Sequence, residues 1–136
     1  MKYQFRRAAF VVSALLCGAM PGLTPAQAET VSDPGLRAAA EKAATAYITG
    51  QLKDPDSARF KFTLSPAYGV VNMSGRRHSG YFLCGEVNGK NSYGGYTGFK
   101  PFIVIYSDAT YRAASDGAID SGNYSIVSGW CGQVYR

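Results

Sequence analysis

From Leu36 onward apolar side chains return every three or four residues, as Leu36, Ala40, Ala43, Tyr47, Ile48 and Leu52, with Arg37, Glu41, Lys42 and Thr45 falling between them. This spacing gathers the apolar set on one face and predicts an amphipathic helix, the N-terminal element of the fold, from Asp33-Pro34 to about Leu52. An Asp side chain accepts the free N–H groups of a first helical turn, and proline tolerates that turn. Lys53-Asp54-Pro55-Asp56-Ser57 ends the helix, because the residue before a proline is pushed out of helical backbone and Asp, Pro and Ser favour turns. The polar face carries both signs of charge, which favours packing on a sheet of the same chain over lying on a membrane surface.

After this helix the period shortens to two. Residues 59–63 alternate with Phe60 and Phe62 on one side, and strands are predicted there and over 68–74, 80–88 and 99–107, with Ser74-Gly75-Arg76-Arg77-His78 as a connection. The stretch from Phe102 to Tyr106 is apolar on both faces and is predicted to be the central strand. Turn signals at Asp116-Gly117, Ser121-Gly122 and Gly129 break up the C-terminal stretch. Ile126, Val127, Trp130 and Val134 keep helical spacing there, which predicts a short C-terminal helix pinned to the sheet by Cys131. The fold class is therefore α+β: an N-terminal amphipathic helix packed on an antiparallel sheet of about four strands, with a short C-terminal helix.

The first residues follow a different pattern. Lys2, Arg6 and Arg7 precede an uncharged run from Ala8 to Met20, then Pro21-Gly22 and the small-residue ending Ala26-Gln27-Ala28. This order predicts a secretory signal over residues 1–28, cleaved after Ala28. A transmembrane anchor needs about 20 consecutive apolar residues, and this run is shorter and interrupted, so no anchor is expected. Cys17 follows Leu16, where lipoprotein processing wants a small side chain, so lipidation is not expected. The protein is expected in the periplasm or outside the cell.

Removal of the leader changes the charge. Three of the fourteen basic residues leave with it and none of the nine acidic ones, so the formal balance falls from +5 to +2. That weakens any case for a nucleic acid partner. Residues 29–136 suffice for one core and are too few for two ordinary domains. Within them only Cys84 and Cys131 remain, and an even count in an exported chain predicts a disulfide between them.

Catalytic constellations are scarce. His78, the single histidine, stands beside Arg76-Arg77 and reads as an exposed loop side chain, and one histidine with two bridged cysteines leaves no zinc site. No metal or cofactor is expected. Gly94-Gly95-Tyr96-Thr97-Gly98 lacks the lysine and following helix of a phosphate loop. Glu86 lies on a predicted strand, where an ion pair with Lys90 or Arg59 is the structural reading and acid or base work with Asp108, Asp116 or Asp120 the catalytic one.

The segment Cys84-Gly85-Glu86-Val87-Asn88-Gly89-Lys90-Asn91-Ser92-Tyr93-Gly94-Gly95-Tyr96-Thr97-Gly98-Phe99 stands apart in composition. Amides, a lysine and tyrosines on a glycine-rich backbone can hydrogen-bond and stack on a sugar or a peptide. The candidate binding residues are Glu86, Asn88, Lys90, Asn91, Tyr93 and Tyr96. Together with Leu52-Lys53-Asp54-Pro55-Asp56-Ser57-Ala58-Arg59-Phe60, this segment resembles stretches of a group of small exported bacterial proteins of unknown function. The resemblance implies a bacterial, extracytoplasmic origin and no functional residue. Two functions are carried forward: a non-enzymatic envelope-associated domain that binds a glycan or a protein surface, and a small cell-wall-active hydrolase using Glu86.

Overall fold

The computed structural model describes residues 29–120, 122 and 126–136. The expected leader, 1–28, and part of the Ser121-Gly122 turn lie outside them. Strand β1 (Glu29–Thr30) leads into helix α1 (Pro34–Thr49), and a 3-10 turn (Pro55–Ser57) leads into β2 (Arg59–Lys61). Then follow β3 (Ala67–Met73), β4 (Arg76–Asn88), β5 (Lys100–Tyr106), β6 (Ala114–Ile119) and helix α2 (Ile126–Val134). The class is α+β with an antiparallel sheet, of six strands rather than about four.

Strand β4 organises the sheet. Its first half pairs with β3 and its end, Glu86 to Asn88, with β2 on the same edge, while β5 takes the other edge. β1 extends the sheet beyond β3 and β6 beyond β5. The strand expected at the centre, β5, is interior but stands beside the longer β4, which holds the middle.

Alternation along β4 and β5 sends side chains to two faces, each covered by one helix. Leu83, Val87, Phe102, Val104 and Tyr106 pack with Ala40, Ala44 and Ile48 of α1. Phe82, Cys84 and Ile103 pack with Val127 and Val134 of α2. α1 starts as its sequence dictates, the Asp33 carboxylate accepting the Leu36 N–H at 2.8 Å. The helix lies at 34–49, after the short β1 rather than at the N-terminus, and stops before Leu52. Gln51 and Leu52 donate to carbonyls three residues back, tightening the chain out of the helix.

Arg76, Arg77 and His78 belong to β4, not to a connection. The hairpin turn is only Ser74-Gly75, with φ of 51° and 79°, the left-handed pair that suits the twist of two paired strands. His78 is an exposed strand residue opposite Val71. The free edge of β3 is blunted from α2, whose Gln133 side chain accepts the Asn72 N–H at 2.8 Å. Gly69 lets α2 approach, since a Cβ there would sit 3.1 Å from the Val134 carbonyl oxygen.

Three tyrosines are locked between the layers. Tyr106 donates to the Ala40 carbonyl and Tyr135 to the Ser65 carbonyl, and the rings of Tyr106 and Tyr111 meet edge-on at 5.1 Å. Burial pushes the phenols of Tyr111 and Tyr135 up to about 12 and raises Tyr106 as well. These phenols are neutral in the folded state at pH values where the unfolded chain ionises them. Their stabilisation is complete below the unfolded value of about 10 and is lost as pH rises toward 12. Urea midpoints are expected to hold steady up to about pH 10 and fall above it. A midpoint constant to pH 12 would mean that these rings are solvated.

Candidate functional site

The 88–98 segment folds as a hydrogen-bonded excursion between β4 and β5. At its base the Asn88 side-chain oxygen accepts the Gly98 N–H at 3.1 Å, and Lys90 pairs with Tyr96 in an antiparallel bridge. At its tip Asn91 N–H donates to the Gly95 carbonyl, while the Asn91 side-chain oxygen accepts the N–H groups of Tyr93 and Gly95. Gly94 and Gly98 adopt φ of 79° and 95°, a left-handed backbone that glycine reaches without strain. The amides expected to meet a ligand are thus used to shape the loop.

The loop is also tied to its surroundings. Ser57, at the end of the 3-10 turn, accepts the Lys90 N–H on its hydroxyl at 2.9 Å, and its carbonyl accepts the Tyr96 hydroxyl at 3.1 Å. The Lys53 ammonium donates to the Ser92 hydroxyl at 3.2 Å. Arg59 lies 4.4 Å from the centre of the Tyr96 ring and the Lys90 ammonium 5.5 Å from it; Lys61 stands 3.8 Å from that of Phe99. Such cation–ring contacts, worth about 0.5–1 kcal/mol each at exposed sites, hold the loop against β2. They also occupy the Tyr96 ring, making it a staple. Tyr93 differs: it sits at the tip, 97% exposed.

Between this loop and the end of α1 opens a cleft of about 490 Å³. Leu52, Val87 and Ile119 give it apolar lining, and Lys53, Lys90 and Lys100 bring three cations to it. One acid lines it, Asp120, which is 8% exposed and is fixed by its N–H bond to the Pro101 carbonyl. No aromatic residue lines the cleft among the described residues.

Of the candidate residues, Lys90 and Asn91 line the cleft. Asn88 and Tyr96 support the loop, and Tyr93 projects from it. Glu86 is half-buried on β4 and alternates with Val87, so it shares the sheet face of Cys84 rather than the cleft side. Among the described residues the one ion pair is Arg37 with Glu41, at 2.8 Å, so the expected pairing of Glu86 with Lys90 or Arg59 is absent. The other acids are dispersed. The hydroxyl and N–H of Thr110 hold the Asp108 carboxyl below the usual range, and Asp116 accepts from its own turn at Gly117. Among the described residues no group of three or more His, Cys, Asp or Glu could hold a metal ion, and no helix is long and apolar enough to cross a membrane.

Cys84 and Cys131 form a disulfide that joins β4 to α2 on the face opposite the cleft. Sequence reasoning missed Lys53, Lys100 and Asp120 as one set, because each lies at the end of a different element and nothing in their spacing links them. The chain matches no protein-family model, no curated protein and no solved structure.

Proposed function

We propose that residues 29–136 are an exported binding domain, freed from a leader cleaved after Ala28, that presents the 88–98 loop to a glycan or a protein surface of the bacterial envelope. The observation that carries this reading is Tyr93, an almost fully exposed aromatic ring on a loop fixed by its own hydrogen bonds. A rigid aromatic side chain loses little conformational entropy on docking, which is why such residues dominate interfaces. The resemblance to small exported bacterial proteins and the disulfide, which persists in oxidising compartments, support export.

The test is to express the full chain in a bacterium, sequence the N-terminus of the processed protein and measure its retention on envelope fractions. A chain beginning at Glu29 and retained on the envelope is expected. Tyr93→Ala is expected to weaken retention by about tenfold or more, with the thermal midpoint unchanged because the ring has no packing to lose. Equal retention of this variant would remove the loop from the binding surface.

A further inference from the structure

The cleft beside the loop has a chemistry of its own. Three lysines line a concave surface that holds, among the described residues, a single carboxylate, and a cleft lined mainly by one sign of charge focuses its field on an incoming ion of the opposite sign. Lys53 spends one donor on Ser92 and keeps two others, since an ammonium has three. Asp120, 8% exposed, lines the same cleft and offers it a carboxylate acceptor. Leu52, Val87 and Ile119 supply the apolar contact surface.

We propose that this cleft seats the C-terminal carboxylate of a peptide whose last side chain is aliphatic. The terminal carboxylate meets the lysines, the side chain lies on Leu52, Val87 and Ile119, and the last amide N–H donates to Asp120. A volume of about 490 Å³ suits one or two residues of such a ligand. A sugar would present hydroxyls and commonly an aromatic-facing ring, and among the described residues the cleft offers no aromatic platform. A polyphosphate chain would be repelled by Asp120. This site goes beyond the loop reading, because Tyr93 is not part of it.

The probe is N-acetyl-alanyl-leucine, titrated into the processed protein by calorimetry or amide chemical shifts, beside its C-terminal amide and beside glucuronate. The free acid is expected to bind about tenfold more tightly than the amide, since the charge-assisted bonds go with the carboxylate. Lys100→Met and Lys53→Met, each checked for an unchanged thermal midpoint, are each expected to weaken the acid several-fold, and raised salt to do the same. Arg112→Met, a cation outside the cleft, is expected to leave binding intact, as is Tyr93→Ala. Failure of the loop proposal, read on Tyr93, is therefore separate from failure here. Equal binding of acid and amide, no binding of either, indifference to both lysine substitutions, or glucuronate binding as well as the peptide acid would each overturn the proposal.

Discussion

Replacing both Cys84 and Cys131 by alanine is expected to lower the unfolding free energy by about 4 kcal/mol and to free α2 before the rest of the fold. The bridge closes a loop with a sequence separation of 47, and in the chain-entropy picture that length sets the size of the effect. A loss of this size is a large share of the roughly 5–15 kcal/mol that holds a small domain together. The loss should also be local. α2 has nine residues, too few for a helix to persist alone in water, and keeps its place through Val127, Val134 and the bridge. Its backbone amides should lose hydrogen-exchange protection first, while those of α1, on the other face, follow global unfolding. Urea titrations and exchange of the two forms provide the measurement. A shift below about 1 kcal/mol, or uniform loss of protection, would show that packing alone holds α2 in place.

The parts of the fold that were legible are those where packing imposes a period. α1 could be read because Ala40, Ala44 and Ile48 must share a face, and its start because Asp33 and Pro34 serve the first turn chemically. β5 could be read because Phe102, Ile103 and Val104 are buried between two helices. β4 before Ser79 could not: Arg76, Arg77 and His78 are exposed, so no apolar alternation marks them, and a two-residue turn sets their pairing instead. β6 is also silent in sequence. Ala114-Ser115-Asp116-Gly117 has the composition of a turn, and pairing with β5 makes it a strand, with Gly117 leaving room for the Tyr47 ring 2.9 Å from where a Cβ would stand. The loop was visible through its glycines and tyrosines, but the division of labour between Tyr93 and Tyr96 was not, since it depends on Arg59 and Ser57 arriving from elsewhere. The cleft was invisible for the same reason. Lys53, Lys100 and Asp120 become neighbours only when the end of α1, the start of β5 and the end of β6 meet.

The opposite face of the disulfide region gives the second large effect, centred on Phe102 and Gly85. These residues are direct partners in the β4–β5 register, and the Phe102 ring lies where the missing side chain of Gly85 would point. Phe60 and Phe62 stack on each other at 5.8 Å and both meet Phe102 edge-on at 5.9 Å. One ring thus shields a bare stretch of backbone and anchors Phe60 of β2 and Phe62 just beyond it. Phe102→Ala is expected to cost about 4 kcal/mol, because a fully buried ring leaves a cavity that strand backbone cannot close. Gly85→Ala is expected to destabilise by about 2 kcal/mol, although alanine is less flexible in the unfolded chain. Its Cβ would fall 2.7 Å from the Phe102 ring and 2.8 Å from the Lys61 carbonyl oxygen, and the second of these is backbone. The double variant separates the two contacts. If the ring is the main obstacle, the combined loss falls well short of the sum of the two single losses; if the Lys61 carbonyl is, the losses add. Because β2 leads out of the 3-10 turn that holds Lys90 and Tyr96, Phe102→Ala should also loosen the loop, and exchange of the Lys90 amide, bonded to Ser57, would report it. Unchanged exchange there, together with a loss below about 1 kcal/mol, would mean that the aromatic cluster does not anchor this end of the sheet.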